Sequence, residues 1–282
     1  MANEVQQLTF RMTREEFDFF RSKIFLLAGI SLSDAKLDLL QARLRSRVLS
    51  LGMKDFRSYQ LYLQKLPEVH QEWEHFINLL TTNKTDWFRE PDHFSFIVNE
   101  FLPRWLKLGK KHLKVWCAAS STGEEAYTLS LVLNLALKTS GVSFYILATD
   151  IDTNVLGLGR NGVYPQACLS QIPEKYHFGF CQGTKELSTW MKVRKEVKGP
   201  VEFKHFNLSQ TPYQWQENFD LVLCRNVMIY FNKETIRNVV EAIYESSCDD
   251  AALIIAHSES LQNVNASWKY LAPSLYHKGR LF

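Results

Sequence analysis

The feature that most constrains the fold is a change of pattern near Leu113. From there on, five short runs rich in apolar or β-branched residues follow one another, and helical patterns separate several of them. These runs read LKVWCAAS, SFYILATD, VEFKHFN, FDLVLCRN and AALIIAHS. Such alternation is typical of a mostly parallel β-sheet with helices on both faces. We therefore expect an α/β domain over residues 113–282.

The residues before this point show helical periodicity instead. Thr13 followed by Glu16 has the spacing of a capping box, and the helix that begins there should end near Gly29. Three further helical segments lead to a polar run, TTNKTDWFRE, that is typical of a loop. The sequence predicts an all-helical domain over residues 1–82, and a linker with the first helix of the next domain over residues 83–112.

Two segments of the α/β part depart from a simple alternation. Residues 162–200 contain no long helical pattern and carry turn signals, so we interpret them as an insertion that forms a small antiparallel sheet. The motif GLGRNG at 157–162 has the spacing of a dinucleotide-binding loop. It follows a helical pattern instead of a strand, and its nearest acidic pair lies upstream, so we interpret it as a helix end with turn glycines.

Composition narrows the class of protein. The chain has 282 residues, of which 46% are hydrophobic, and a formal net charge of +3, which is too small to suggest binding to nucleic acid. It has no run of about 20 uncharged apolar residues, and its N-terminus lacks the pattern of a signal peptide, so we expect a cytoplasmic protein without membrane insertion. The five cysteines are scattered and contain no C-x-x-C pair, so we expect free thiols and no metal site.

The stretch WCAASSTGEEAY at 116–127 is the best candidate for a ligand site. A turn of small residues between a strand and a helix usually accepts a phosphate, which Glu124 and Glu125 would repel. The next apolar run ends in Asp150 and Asp152, a position where an acid commonly binds ribose hydroxyls. S-adenosylmethionine fits both observations, because it has a ribose and an ammonium group but no phosphate.

Simpler explanations of these four acids remain open at this point. Glu124 and Glu125 could merely complement the dipole of the helix that they begin. Asp150 or Asp152 could cap the helix that follows the second run. Whether Glu125 or Asp152 also contacts the ligand is left open by the sequence.

Longer motifs add a resemblance. In their order and spacing, WCAASSTGEEAYTL, ATDIDTNVL, CRNVMIYF and HSES resemble the chemotaxis receptor methyltransferases, the CheR family. The loop TTNKTDWFREPDHF is similar to the segment that joins the two domains of that family. The resemblance covers residues from about 10 to 280. It implies a helical N-terminal domain followed by a Rossmann-like methyltransferase domain with a β-subdomain, and transfer of a methyl group from S-adenosylmethionine to glutamate side chains of chemoreceptors.

The resemblance also implies roles for individual residues. Arg89 and Tyr230 would face the transferred methyl group and the incoming carboxylate. Glu124 would meet the methionine part of the cofactor, and Asp150 would meet its ribose. The full set implied for cofactor binding is Asn83, Thr85, Arg89, Glu124, Asp150, Asn207, Leu208, Asn226 and Val227.

A basic stripe on the second helix is the candidate for receptor docking. Lys36, Arg43 and Arg47 lie at helical spacing on one face, and the resemblance implies that such a helix contacts the cytoplasmic helical bundle of chemoreceptors. A solvated helix face is the simpler interpretation. Some family members bind a receptor pentapeptide through glycines of the β-subdomain. Here the segment QGTKELSTW retains only Gly183 of that pattern, so we expect no pentapeptide tethering.

Two other functions stay open, and a third is set aside. The chain could methylate another protein, or it could bind S-adenosylmethionine as a non-catalytic regulatory module. The triad of residue types in His257, Ser258 and Glu259 does not indicate a hydrolase, because three consecutive residues at a strand end cannot point at one another and a G-x-S-x-G elbow is absent.

Overall fold

The computed structural model describes residues 10–264 and 266–280, so residues 1–9 of the expected helical domain lie outside the described residues. The α-helices are α1 (Arg14–Ala28), α2 (Leu37–Ser50), α3 (Phe56–Lys65), α4 (Gln71–Leu80), α5 (Asp92–Phe96), α6 (Leu102–Lys107), α7 (Glu124–Ala136), α8 (Thr153–Asn161), α9 (Lys195–Lys198) and α10 (Lys233–Glu245). The strands are β1 (His112–Ala118), β2 (Ser143–Asp150), β3 (Val163–Pro165), β4 (Phe180–Gln182), β5 (Trp190–Val193), β6 (Val201–His205), β7 (Phe219–Cys224), β8 (Ser247–Ile255), β9 (Lys269–Ala272) and β10 (Leu275–His277).

Shorter helical pieces lie between these elements. A π-helical segment, Ile97–Phe101, joins α5 to α6. It ends two residues before Pro103, which has no N–H to donate to the preceding turn. The 3₁₀ segments are Asp34–Lys36, Gln166–Gln171, Glu174–Gly179, Lys185–Leu187 and Met228–Tyr230. Among the residues described, no helix combines the length and the apolar character needed to cross a membrane.

The chain divides into two compact units, and the first contains the N-terminal helices up to Thr82 together with Tyr230–Asn232. The predicted capping box is confirmed, since Thr13 accepts from the Glu16 amide and Glu16 accepts from the Thr13 amide. Gly29 ends α1 in the left-handed conformation, as expected. The core of this unit is built from fully buried side chains on all four helices: Phe17, Phe20, Leu40, Leu44, Tyr59 and Phe76.

The second unit is built on a seven-stranded sheet in the order β6-β2-β1-β7-β8-β10-β9. The first five strands of this order are parallel, which confirms the expected α/β class. Strands β9 and β10 form an antiparallel hairpin on the β8 edge that the sequence did not predict. The predicted small antiparallel sheet of the insertion is confirmed, with the order β3-β5-β4.

Part of the main sheet, around β1, is covered by a loop instead of a helix. The connection from β6 to β7 is a loop whose aromatic residues pack on Trp116 of β1, which is fully buried. The Trp116 indole N–H donates to Thr149 Oγ1 on β2 at 2.9 Å, so its polar atom is satisfied in the interior. This aromatic cluster takes the place of the helix that the alternating pattern would suggest between two parallel strands.

Candidate functional site

The strand order places a crevice at the carboxyl ends of β1 and β7. From β1 the chain crosses over to β2 on one side, whereas from β7 it crosses over to β8 on the other side. In open α/β sheets, ligands bind where the crossovers diverge in this way. The loops that follow β1, β2, β6, β7 and β8 all end at this edge, and they carry the residues that the sequence singled out.

The loop after β1 has an unusual backbone. Ala119, Ser121 and Gly123 have φ angles of 65°, 48° and 98°, so three of five consecutive residues adopt left-handed conformations. A Cβ atom on Gly123 would lie 2.9 Å from Phe203 Cζ and 3.0 Å from the Tyr164 hydroxyl. The glycine is therefore required both by its dihedral angle and by the close approach of β6 and the insertion.

Glu124 begins α7 directly after this loop. Its carboxylate accepts a hydrogen bond from Thr122 Oγ1 at 2.6 Å. Burial raises the pKa of Glu124 above its ordinary value, and the Thr122 bond only partly opposes this. Among the described residues no cationic side chain pairs with this half-buried carboxylate, which is costly, so the position favours a positively charged ligand group.

Asp150 and Asp152 have different roles at the end of β2. Both oxygens of Asp150 accept backbone N–H groups, from Ser121 at 2.8 Å and from Asp152 at 3.0 Å. Burial raises the pKa of Asp150, although these backbone bonds counteract the shift. Asp152 caps α8 by accepting from the amides of Asn154 and Val155, so the capping alternative holds for Asp152 and not for Asp150.

Asn83 ties the interdomain loop to this edge. Its Nδ2 donates to Asp152 Oδ2 at 2.6 Å, and its carbonyl accepts from Ser121 Oγ at 2.7 Å. The structure thus brings Asn83 next to the loops that carry Glu124 and Asp150. Thr85 lies in the same loop and is half-buried. The Arg89 guanidinium donates to the Lys84 carbonyl at 3.2 Å, which closes the loop on itself.

The loops after β6 and β7 carry the remaining residues of the expected cofactor set. Asn207 Oδ1 accepts from the Ser209 amide at 3.0 Å, which forms a local turn, and the adjacent Leu208 is buried. Asn226 adopts a left-handed conformation with a φ of 59°, and Val227 beside it is half-buried. Both pairs lie at the carboxyl edge of the sheet, and their contacts with a cofactor remain predictions.

Sequence reasoning missed Arg225, the central cation of this edge. Its guanidinium is buried and donates to Glu125 Oε2 at 2.6 Å, to Glu90 Oε2 at 3.0 Å and to the Arg89 carbonyl at 2.6 Å. Burial lowers the pKa of Arg225, but Glu125 and Glu90 outweigh this and hold it above its ordinary value. The sequence does carry a signal for this role, because Arg225 directly follows the apolar run FDLVLC. A charged side chain at the end of a buried strand needs partners of opposite charge.

The same network explains Glu125, whose role the sequence left open. Its two oxygens contact Arg225 and, at 3.1 Å, the thiol of the buried Cys117. The two adjacent glutamates are therefore distinct. Glu125 is neutralised inside the protein, whereas Glu124 has only a hydroxyl partner among the described side chains.

Glu259 organises the turn after β7. Its carboxylate accepts from the amides of Asn226, Met228 and Ala256, at 3.2, 2.9 and 2.9 Å. Burial raises the pKa of Glu259 despite these backbone bonds. Because backbone amides occupy the Glu259 carboxylate, it does not act as the acid of a hydrolase triad. The same bonds bring the motif HSES next to the motif CRNV.

The docking and Tyr230 predictions fall in the first unit. Lys36 is exposed and lies in the 3₁₀ turn Asp34–Lys36, at the N-cap of α2 and not within the helix as the spacing predicted. The Arg43 guanidinium donates to the carbonyls of Leu80 and Thr81 at 2.6 and 2.8 Å, at the C-terminus of α4. Arg47 forms two bonds to Glu72, which is nearly fully buried. Two of the three basic side chains, Arg43 and Arg47, are therefore used in contacts within the first unit.

Tyr230 also groups with the first unit, and its carbonyl accepts from the Ser31 amide at 2.8 Å.

The site fits S-adenosylmethionine better than a nucleotide. Glu124 offers a half-buried negative charge to an ammonium group, and the Asp150 carboxylate can accept from a ribose hydroxyl. The absence of a side chain at Gly123 lets a ligand come close to the backbone. Together with the strand order, these features define the class of S-adenosylmethionine-dependent methyltransferases.

Comparison with known families agrees with this class. The family model described as "CheR methyltransferase, SAM binding domain" matches residues 83–275, and "CheR methyltransferase, all-alpha domain" matches residues 15–81. The chain belongs to the CheR methyltransferase family, and its cofactor is S-adenosylmethionine.

Curated relatives match over almost their whole length. The chain is 35% identical to Chemotaxis protein methyltransferase 2 of Pseudomonas aeruginosa over 95% of this chain and 94% of the relative. It is 34% identical to the Chemotaxis protein methyltransferase of Salmonella typhimurium over 96% and 93%, and 32% identical to that of Borreliella burgdorferi over 96% of each chain. The resemblance expected from the motifs is confirmed.

Proposed function

We propose that this methyltransferase transfers the methyl group of S-adenosylmethionine to glutamate side chains on the cytoplasmic helical bundle of chemoreceptors. The observation that carries the proposal is the match to chemotaxis methyltransferases across both units, at 34% identity or more in two of them. The half-buried Glu124 and the buried Asp150 supply the matching cofactor chemistry at the sheet edge.

The proposed reaction requires no general base from the protein. A glutamate carboxylate has a pKa of about 4.3 and is already ionised at neutral pH. The bound cofactor would supply an electrophilic methyl group on a positively charged sulfur, and the neutral thioether S-adenosylhomocysteine would be the leaving group. The residues of the chain therefore need to hold the carboxylate in line and exclude water, since attack gains most from positioning and desolvation.

Arg89 and Tyr230 are the proposed orienting groups. The Arg89 backbone is fixed by Arg225, and Phe88 and Glu90 on either side of it have φ angles of 51° and 55°. Such a strained segment, held by a buried cation, sets the direction of the Arg89 side chain. We infer that Arg89 orients the incoming carboxylate by a hydrogen bond that leaves one lone pair for attack.

The decisive test uses labelled S-adenosylmethionine and receptor-containing membranes. We expect label to appear on the receptor as base-labile methyl esters that map to glutamates. An Asp150→Asn variant should bind cofactor poorly and label nothing, which ties the label to this site. Label on another protein would indicate a different substrate, and cofactor binding without any transfer would indicate a regulatory module.

A test of receptor docking through α2 needs a variant that does not disturb the fold, as charge reversal of its arginines would. Arg47→Glu would place a second carboxylate against the buried Glu72 and disturb the fold. Lys36→Glu avoids this, because Lys36 is exposed. It should weaken receptor methylation at low salt and leave cofactor binding unchanged. Lys65→Glu on α3 is the matched control, and an equal effect of both variants would contradict docking through α2.

The β-subdomain supports the absence of pentapeptide tethering. Residues that replace the expected glycines lie in the 3₁₀ turn Lys185–Leu187 and just after it, between β4 and β5. Gly183 is itself packed tightly, since a Cβ there would lie 1.9 Å from the Leu187 carbonyl oxygen. We expect equal methylation of a receptor with and without a C-terminal pentapeptide. Faster methylation of the receptor that carries it would overturn this proposal.

A further inference from the structure

Three side chains of ligand type converge beside the cofactor loops. Glu90, His93 and His257 offer one carboxylate oxygen and two ring nitrogens that all lie within 4.8 Å of one another. His93 Nδ1 is 3.4 Å from Glu90 Oε2. The two imidazole rings meet edge to face with their centroids 4.7 Å apart. His93 is only 2% exposed, whereas His257 lies at the surface.

The hydrogen bonds around His93 indicate which ring nitrogen carries the proton. Ser274 Oγ donates to the Pro273 carbonyl at 2.6 Å, and a hydroxyl has only one proton to donate. Ser274 Oγ is therefore the acceptor in its 2.8 Å contact with His93 Nε2. It follows that Nε2 carries the proton and that Nδ1 presents a lone pair.

That lone pair points towards a carboxylate. Within the described part of the chain, His93 Nδ1 has no hydrogen-bond partner, and an oxygen of Glu90 lies 3.4 Å from it. Glu90 Oε2 accepts from Arg225 at 3.0 Å and from the His257 amide at 3.3 Å, so its contact with His93 Nδ1 is not the bond that holds this carboxylate. A buried ring-nitrogen lone pair that faces a carboxylate oxygen is unfavourable unless a Lewis-acidic cation binds both.

We propose that Glu90, His93 and His257 form a binding site for a divalent metal ion of the zinc class. Nitrogen and oxygen ligands at about 2.0–2.1 Å from a tetrahedral zinc ion lie roughly 3.3 Å from each other. The 3.4 Å separation of His93 Nδ1 and Glu90 Oε2 matches this spacing. The exposed His257 ring can turn to complete the set, which leaves a fourth position for water.

The surroundings resemble those of metal ligands. His93 donates its other N–H to Ser274, and Glu90 is held by Arg225 at 3.0 Å, so both ligands have an outer partner that fixes their orientation. The Arg225 charge also opposes a second cation, so binding should be weaker than at a closed structural zinc site. The bound ion would link the residue after Arg89 to the end of β8, and it should raise the temperature of unfolding.

The test measures Zn²⁺ binding to the full chain by calorimetry, and Co²⁺ binding by its visible absorption. We expect binding of one ion that His257→Gln weakens at least about tenfold, with loss of the rise in unfolding temperature. His257 is exposed, so this variant should fold. His112→Gln, at an exposed histidine on β1, and Cys181→Ser, at an exposed thiol, are the controls and should bind as the parent protein does.

A second measurement tests the premise about the proton. In chelator-treated, ¹⁵N-histidine-labelled protein, we expect the Nε2–H tautomer for His93, with the Nδ1 signal moving on addition of Zn²⁺. An Nδ1–H tautomer would mean that His93 donates to Glu90, and it would overturn the proposal. Equal affinity of the parent and His257→Gln proteins, or no binding by the parent, would overturn it as well.

Discussion

Arg225 Nη1 donates to Glu125 Oε2 at 2.6 Å, and this buried ion pair joins the end of β7 to the first turn of α7. The same guanidinium holds Glu90 and the carbonyl of Arg89. One cation therefore fixes three segments that border the cofactor crevice. The neutralised Glu125 leaves the adjacent Glu124 as the acid available to a ligand.

Arg225→Gln should destabilise the protein strongly. Removing one partner of a buried ion pair leaves uncompensated carboxylates and typically costs about 3–5 kcal/mol. The free energy of unfolding, measured by urea denaturation, should fall by that amount. Arg104→Gln is the matched control, because its partner Glu100 is half exposed and such surface pairs contribute about 0–1 kcal/mol. Similar losses in both variants would contradict the central role of Arg225.

Gly123→Ala should impair folding and cofactor binding together. The left-handed conformation costs an alanine about 1–2 kcal/mol, and contact with Phe203 and Tyr164 adds roughly 1–3 kcal/mol of overpacking. Gly141→Ala isolates the first effect, because Gly141 has a φ of +67° and nothing lies within 4 Å of the added Cβ. Equal destabilisation in the two variants would show that Phe203 and Tyr164 do not crowd a side chain at position 123.

Glu124→Gln should weaken cofactor binding and, at neutral pH without cofactor, make the folded protein more stable. Burial raises the pKa of Glu124 in the folded protein, so its contribution to stability is present in acid and is lost as the pH rises through the folded value. At neutral pH and without cofactor, the variant should therefore unfold at a higher urea concentration than the parent protein, and the difference should vanish in acid. Cofactor binding should weaken about tenfold to a hundredfold, because a charge-assisted bond is lost.

Glu234→Gln is the control for this experiment. Glu234 lies in the first turn of α10, as Glu124 lies in the first turn of α7, but it is exposed. Glu234→Gln should leave both the stability to urea and the cofactor affinity nearly unchanged. A Glu124→Gln protein that is less stable than the parent at neutral pH would contradict the desolvation cost assigned to this carboxylate.

Tyr230→Phe should lower turnover about tenfold to a hundredfold and leave the dissociation constant of the cofactor nearly unchanged, because orientation of the carboxylate is lost while the cofactor pocket stays intact. The backbone bond from Ser31 to the Tyr230 carbonyl does not depend on the hydroxyl. Tyr270→Phe, at an exposed tyrosine of β9, should behave as the parent protein. Equal losses of turnover and affinity would count against an orienting role.

Local patterns predicted the elements that depend on short-range interactions. The capping box of α1, the run that became β2 and the helix that begins at Glu124 follow from capping chemistry and periodicity. The GLGRNG motif is confirmed as a helix end, since Gly157 and Gly159 lie in α8 and Gly162 ends it in the left-handed conformation. Each of these structures is encoded within about one turn or one strand of sequence.

Long-range pairing decided what the local pattern could not show. Strands β9 and β10 are short and acquire their role only by pairing with β8 across the sheet edge. Likewise, nothing in the periodicity of α2 distinguishes a solvated arginine from one that holds α4, as Arg43 and Arg47 do. Glu125 and Glu90 are far apart in sequence and meet only because Arg225 contacts both.

The sequence by itself determined the helical unit, the parallel sheet and, through its motifs, the family and the cofactor. Hydrophobic periodicity and turn chemistry act over neighbouring residues, so they can be read from the chain directly. Only the tertiary structure decided which acid of the Glu124–Glu125 pair stays available and which residues hold Arg89 in place. Those roles depend on burial and on charges that meet at the carboxyl edge of the sheet, because an ionised group in the interior must find its partner in space.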